Sequence, residues 1–472
     1  MNKIIILISI FFMLNFSFAQ EMWDWNKCIE YALQNNIQLK LSDVNKDLAN
    51  IELRKNKFNY TPTINAQSNY NFRIGKNYNF FQNEYVNQLV HYQDYNLNIQ
   101  QNIFDGLLTK NQIAKSKLDI KALELDNEAL KTNLQMQILT AYLNILNAKE
   151  QLAQSITQQK STLEQKARTE AMIEAGAMPE SNLFDIEAQL ASEEANIILA
   201  KNQHEIALLT LKNLLQLDLS KQIDVVVPEI SQALEIGNIS NAASIFAHAV
   251  TTRPEVLAHD YKIQSAKKNI KIAKANNFPT LNFLGNINTF YTNQNSTSTQ
   301  SYTGNLTPIG FVEGTLQKVL IPETKYIQTK TKYFPQLKNF LNYSFGLGLN
   351  IPIYNKNTVR FAVQQAEKQI VISELNKAQT IFDLNNNIHQ AYIKTITSEE
   401  NYIAAKNAFE ATQKSFNVAE ERVKAGLSTQ LELNLAKNTL INTQSRLTQS
   451  KYEYLFNKKL LDFYQGIDIT LK

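Results

Sequence analysis

Apolar positions along this chain keep two rhythms, and the switches between them locate its elements. Residues 107–174 contain neither proline nor glycine, and apolar side chains return at steps of three and four: Leu118, Ala122, Leu125 and Ala129, then Leu139, Leu143 and Leu146. That period predicts one uninterrupted helix, about 100 Å long at a rise of about 1.5 Å per residue. Residues 358–424 form its counterpart. There Tyr402, Ala405, Phe409, Thr412, Phe416, Ala419 and Val423 alternate steps of three and four, the heptad spacing of coiled-coil packing. Helices of this length do not fit inside one globule, so an elongated bundle is expected.

Both runs stop at the same signal, Ala175-Gly176 and Ala425-Gly426, where glycine can take the left-handed conformation that ends a helix. A returning helix is expected at once, over residues 180–217 and 431–461. Pro179 suits a first-turn position, and Thr429 followed by Glu432 reads as a capping box. Each half thus predicts a long helical hairpin with its tip at a glycine.

Ahead of each long helix the period falls to two. Ile64, Ala66, Ser68, Tyr70, Phe72 and Ile74 alternate with polar residues, as do Tyr95, Leu97, Ile99 and Ile103. Later, Leu281, Phe283, Gly285 and Ile287 form one such run, and Tyr343, Phe345, Leu347, Leu349, Ile351 and Ile353 another. Runs of about 10 residues match a tilted strand that crosses a bilayer. Two soluble hairpins packed on a helical core would give the same alternation. Aromatic residues near the strand ends (Tyr60, Tyr70, Phe72, Tyr92, Tyr95, Phe290, Tyr291, Tyr343, Tyr354) favour a membrane barrel. So does a polar face carrying Asn65, Asn69, Asn96, Asn98, Asn282, Asn286, Asn288 and Asn342. Four strands are too few to close a barrel, so closure requires several chains.

The chain also contains itself twice. Ile103-Phe104, Ala141-Tyr142, Ala175-Gly176 and Leu183 return at Ile353-Tyr354, Ala391-Tyr392, Ala425-Gly426 and Leu433, a shift of 250 (353 − 103). Ala32, Ala49 and Pro62 return at Ala249, Ala266 and Pro279, a shift of 217 (279 − 62). The second copy therefore holds an insertion of 33 residues (250 − 217), expected as a longer loop of its strand hairpin and including the polar run 293–301 and a lysine-dotted segment 308–335. A repeat this large indicates a duplicated domain rather than a solenoid module. The expected organisation is a segment 1–19, a first repeat 20–217, a connector 218–240 with Ile223, Val225, Val227 and Pro228 as a short strand and loop, and a second repeat 241–472.

Composition narrows the class. An apolar run from Ile4 to Phe18, ending Ser17-Phe18-Ala19, reads as a secretory signal peptide with Gln20 as the mature N-terminus. No later stretch reaches 18 uninterrupted apolar residues. Cys28 is the only cysteine and reads as a small core residue. The net charge of +4 is dispersed, which excludes a nucleic-acid face. His91, His204, His248, His259 and His389 make no ligand spacing, and no phosphate loop, GxSxG or cysteine nucleophile motif is present. No enzyme, metal or cofactor is expected.

In this order of elements, taken twice, the sequence resembles the TolC-like outer-membrane efflux and secretion channels. The opening WDWNKCIEYALQNN (residues 23–36), Pro62 and Pro279 at strand entry, and the glycine tips carry the local likeness. The resemblance implies a mainly helical chain whose long helices wall a tunnel. Four strands from each copy of a homotrimer would contribute to a shared twelve-stranded β-barrel. It implies an outer-membrane exit duct in a Gram-negative bacterium, in contact with outer-membrane lipid. Its partners would be a periplasmic adaptor and an inner-membrane RND or ABC transporter, for efflux or type I secretion. In that family the closed end carries acidic residues six and nine positions after the tip glycine. Here those positions hold Glu432 and Leu435 in the second copy, Asn182 and Asp185 in the first, so an acid remains only at Glu432 and Asp185. Glu432 is read either as a gate or as part of the Thr429 cap. Gly176, Ala177, Met178, Gly426, Leu427 and Ser428 are the expected adaptor contacts, with a turn-only role the alternative. The competing architecture is an exported coiled-coil scaffold or adhesin with soluble strand hairpins.

Overall fold

A computed structural model describes residues 21–228 and 241–467. The expected signal peptide and the later part of the connector lie outside the described residues. The described residues fall into two compact units. One takes the chain up to Asn50, Lys117–Ser265 and the residues from Gln369; the other takes Ile51–Ser116 and Ala266–Lys368. Each unit therefore draws on both sequence repeats.

Helix bounds reproduce the two repeat shifts. Helix α1 (Trp25–Asn35) and α5 (Ala242–Thr252) have 11 residues each, and α2 (Ile37–Phe58) and α6 (Pro254–Ala275) have 22 each, all displaced by 217 (242 − 25). Helix α3 (Leu108–Glu174) and α8 (Thr358–Lys424) have 67 each, displaced by 250 (358 − 108). The returning helices are α4 (Ser181–Leu215) and α9 (Gln430–Gln465). One short helix, α7 (Tyr333–Asn339), falls in the second copy.

Local chemistry sets these boundaries. The Asp24 side chain caps α1 by accepting from the Lys27 amide at 2.7 Å. Asn36 ends α1 and begins α2, its side-chain oxygen accepting from the Gln38 amide at 2.9 Å. In the second copy Asn241 caps α5, and Pro254 opens α6, where its missing N–H costs nothing. Pro179 sits outside α4 rather than in its first turn; its carbonyl accepts from the Asn182 amide at 3.2 Å, which starts the helix.

In the first unit the main core joins Trp23, Trp25, Cys28 and Ala32 to Ile138, Leu139, Tyr142, Ile145 and Leu146 of α3 and Leu208, Leu211 and Leu215 of α4. Strands β1 (Glu21–Trp23) and β6 (Ile223–Val225) pair in parallel across it, so the connector strand expected at Ile223 and Val225 has a partner that the alternation pattern did not reveal. Tyr142 donates to the Val226 carbonyl at 2.6 Å. Burial pushes the Cys28 thiol up to about 12, which leaves it inert. A second, smaller core gathers Ile245, Ala249, Val256, Leu384, Ile388, Ala391 and Leu461.

The second unit holds a four-stranded antiparallel sheet. Its members are β2 (Thr63–Arg73), β5 (Val90–Asp105), β7 (Thr280–Thr292) and β10 (Asn342–Asn350), in the order β10-β7-β5-β2. Two further hairpins were not foreseen: β3 (Lys76–Asn79) with β4 (Glu84–Asn87), and β8 (Ser296–Phe311) with β9 (Lys318–Lys330). The latter occupies most of the insertion expected to be loop. Ile351 and Ile353 continue the alternation but lie beyond β10.

Candidate functional site

Directly opposed residues of antiparallel strands point to the same face, so the registers define two faces. One row runs Ile64–Ile99–Gly285–Phe345, the next Ala66–Leu97–Ile287–Tyr343. Phe345, Leu347 and Leu349 of β10 are each more than 60% exposed, and Ile64 of β2 is 61% exposed. Four neighbouring strands with such a face need an apolar surrounding. Gly285 leaves room here, since a Cβ would come within 3.3 Å of the Phe345 ring.

The alternate rows are polar: Asn65–Asn98–Asn286–Ser344 and Gln67–Asn96–Asn288–Asn342. Their amides link into a ladder. Asn286 donates to Asn98 at 2.6 Å, Asn288 to Asn286 at 2.7 Å, and both Asn96 and Asn69 donate to Asp94. All the asparagines read as the polar face occur in these strands. The outer edges of β2 and β10 have no strand beside them among the described residues.

The helical tips lie in the other unit. Gly176 has φ +66° and Gly426 φ +75°, and both close a Schellman turn. Gly176 donates to Ile173 and Ala177 to Met172; Gly426 donates to Val423 and Leu427 to Arg422. Leu427 is 72% exposed, Ala177 is exposed, and Met178 and Ser428 are half-buried. The Met178 side chain lines a cavity of about 170 Å³ together with Met172, Phe416, Val423, Leu433 and Lys437.

Of the expected gate residues, Glu432 and Asp185 are exposed and Asn182 is half-buried; within one chain they do not bond to one another. Thr429 caps α9 by accepting from the Glu432 amide at 3.3 Å, while the Glu432 carboxylate accepts from the Ser428 hydroxyl. Thr429 thus performs its half of the capping box, and the acid is engaged one residue further back than the reciprocal bond requires. Lys424, beside the tip, has its ammonium pKa held above its usual range by the hydrogen bonds it donates to Glu421 and Glu420.

Sequence reasoning missed a buried network behind the tips. Lys437 of α9, only 6% exposed, donates to Thr162 of α3 at 2.8 Å, and Thr162 donates to Glu193 of α4 at 2.8 Å. Gln158 and Gln189 also donate to Glu193, which is 4% exposed. Desolvation lowers the Lys437 pKa, partly offset by the Glu193 charge. The repeat alignment held the available signal: the equivalents of Thr162 and Glu193 are Thr412 and Thr443, which bond at 2.7 Å without a charge.

The sequence profile of the outer membrane efflux proteins matches residues 28–216 and 324–466, well over half of the chain. The chain belongs to the outer membrane efflux protein family. Its family and fold are those of channels rather than enzymes. Among relatives, it is 21% identical over 336 residues to the toxin and drug export protein A of Aggregatibacter actinomycetemcomitans, covering 71% of this chain and 64% of that one. It is 23% identical over 377 residues to the outer membrane protein TolC of Escherichia coli, covering 77% and 67%. The chain thus spans just under two thirds of the first of these relatives. The solved structure of CusC superposes with a TM-score of 0.74 over 97% of this chain and 96% of that one, at 17% identity, a likeness of fold. The profile leaves residues 217–323 unmatched, including all of β7 and β8.

Among the described residues no helix is long and apolar enough to cross a membrane, and no group of three or more His, Cys, Asp or Glu is placed to hold a metal ion. His259 shares a hydrogen bond with Thr380 at 3.0 Å, and burial lowers its pKa. Efflux-family membership rests on the profile match over residues 28–216 and 324–466, which covers the long and returning helices of both repeats.

Proposed function

We propose that the chain is an outer-membrane channel, the exit duct through which a periplasmic export assembly discharges cargo outside a Gram-negative cell. The observation that carries this reading is the sheet: apolar on one face, lined with linked amides on the other, and unpaired at both edges among the described residues. In lipid such edges would each leave a row of unsatisfied backbone groups, which only closure removes. Three copies supply twelve strands, with the apolar face toward lipid and the amide ladder toward water. The helices of each repeat then wall a periplasmic tunnel.

Transport through it is passive, because no nucleotide-binding loop is present and the energy must come from a partner. A periplasmic adaptor and an inner-membrane RND or ABC transporter fill that role, in efflux or type I secretion. The adaptor contacts are Gly176, Ala177, Met178, Gly426, Leu427 and Ser428. Leu427 supports this assignment as an apolar side chain held out at a turn. Three Glu432 side chains brought to one axis repel one another and attract cations, a gating and selectivity element to which Asp185 and Asn182 add.

The test is planar-bilayer conductance of the detergent-extracted full chain, with its mass measured in the same preparation. A trimer with small, cation-selective currents is expected, and Glu432→Ala should raise the resting conductance. Unchanged conductance in that variant would leave Glu432 as a helix-start residue only. A monomer that stays in the aqueous fraction and conducts nothing would sink the channel and leave an exported scaffold.

A further inference from the structure

The β8–β9 hairpin changes character along its length. Its base is Ser, Thr, Gln and Lys: Ser296, Thr297, Ser298 and Thr299 face Lys330, Thr329, Gln328 and Ile327. Toward the turn the pairs become Leu306 with Pro322, Thr307 with Ile321, Pro308 with Leu320 and Gly310 with Val319. Successive pairs point to opposite faces, so both faces of the distal half are apolar. Leu306, Ile309, Phe311 and Leu316 are each at least 60% exposed. The turn itself is closed by the Val312 amide donating to the Gln317 carbonyl and the Leu316 amide donating to the Val312 carbonyl, and it holds Leu316, 80% exposed, at φ +55°. A leucine in that conformation costs about 1 kcal/mol or more, so polar or glycine residues would be the cheaper choice for a solvated turn.

Lipid is a poor cover for this end. A two-stranded ribbon in hydrocarbon leaves the outer backbone groups of both strands unpaired. Indefinite strand addition is also hindered, because Pro308 and Pro322 remove donors from the ribbon's two strands. The remaining mode is face against face with a small, closed number of similar tips. Two features point to further copies of this chain. Only two charges lie between Leu306 and Ile321, Glu313 and Lys318, one of each sign. They complement each other head to tail between neighbouring copies. The hairpin also grows from the Thr292 and Asn342 ends of β7 and β10, so closing the sheet with other copies sets their hairpins on one rim. Twelve strands spaced about 4.8 Å and tilted about 40° enclose a barrel about 25 Å across. Thirteen residues of β9 extend about 40 Å, ample to reach the axis.

We infer that the apolar tips of the β8–β9 hairpins from neighbouring copies pack on one another, Glu313 of one against Lys318 of the next, as a cap over the mouth of the shared barrel. This rests on the trimeric channel reading above. The only native cysteine, Cys28, is buried, which leaves introduced thiols as the sole reactive ones. In the full chain reconstituted into lipid vesicles, Glu313→Cys with Lys318→Cys should oxidise to a ladder ending at the trimer, whereas Ser301→Cys in the polar base should not. Leu316→Ser, which leaves the sheet untouched, should raise single-channel conductance several-fold. A trimer whose tip thiols stay uncross-linked and react at once with a water-soluble maleimide would overturn the cap while leaving the channel standing. Quenching of a fluorophore at Leu316→Cys by brominated lipid would overturn it too, since lipid would then be the cover. A monomer without conductance would instead fail the channel reading, and the cap with it.

Discussion

The two repeats match in their helices and part company in their connections. Helices α3 and α8 have the same length of 67 residues, and the corners leading into them share an unusual backbone. Gly106 and Leu107 have φ of +67° and +68°; their equivalents Lys356 and Asn357 have +53° and +59°. The same path is thus followed by residues of very different conformational cost. Gly106 has a second reason to be glycine, since a Cβ there would lie 2.5 Å from the Ala275 carbonyl oxygen. By contrast, the hairpins between strands share nothing: β3–β4 is short in the first copy and β8–β9 long in the second. Helix packing ties every turn to a neighbour, so length and register cannot drift without exposing core. A hairpin beyond the end of a sheet meets no such constraint.

Behind the tips the repeats also differ in charge, and this is where the comparison is most exposed to test. Lys437→Met should destabilise by about 3–5 kcal/mol, because it leaves the Glu193 carboxylate buried without its counter-charge. Breaking the Thr412–Thr443 link, which stands in the second repeat where Thr162–Glu193 stands in the first, by Thr443→Val should cost only about 1 kcal/mol, the worth of a neutral hydrogen bond. Thermal unfolding of the detergent-solubilised chain followed by circular dichroism separates the two. Adding Glu193→Gln to Lys437→Met should recover part of the loss, and equal costs at the two links would remove the asymmetry.

The strands should behave alike in the two copies. Leu97 and Leu347 occupy equivalent positions on the apolar face, so either Leu→Arg change should cost about 2–4 kcal/mol near a bilayer midplane and reduce the yield of assembled protein in outer-membrane fractions. If Leu347→Arg assembled normally, the lipid-facing side would have been assigned to the wrong rows. At the helix corners, Lys356→Gly should stabilise by about 1 kcal/mol, since it relieves a left-handed lysine, whereas Gly106→Ala should destabilise by more through its clash with Ala275. Chemical unfolding midpoints of the two variants give the sign directly.

The smallest effect belongs to the β1–β6 pair, which has no counterpart among the described residues of the second repeat. Hydrogen bonds from Lys221 and Lys27 lower the Glu21 pKa from 4.5 to about 2. Because its folded value is depressed, the stabilisation is fully present above about 4.5 and is lost as pH falls toward 2. Emission from Trp23, whose ring lies 4.7 Å from the Lys27 ammonium, should report loosening in that window, and Glu21→Gln should abolish the transition.

Much of this was legible in the chain. The bounds expected for α3 and α8 differ from those found by one residue at most, because a long heptad seam overdetermines its helix and glycine ends it in only one way. The two faces of the sheet could be read from alternation alone, since period two leaves no choice of side once a strand is accepted. The repeat shifts followed from identities at a few fixed points. Pairing was another matter. That β5 lies beside β7, joining the repeats in one sheet with β2 and β10 left as edges, depends on contacts between residues nearly two hundred positions apart, which no local period encodes. The three-residue β1 and β6 are too short to carry a pattern, and the alternation of β8 and β9 is broken by prolines and a two-sided apolar tip. The Lys437–Thr162–Glu193 link likewise consists of residues that look like ordinary solvated helix positions in sequence, and only the packing of three helices around them withdrew the water. Local periodicity thus determined the elements and their faces, while the tertiary structure decided which edges stay open and which charges are buried, because both depend on what lies across from a residue rather than beside it.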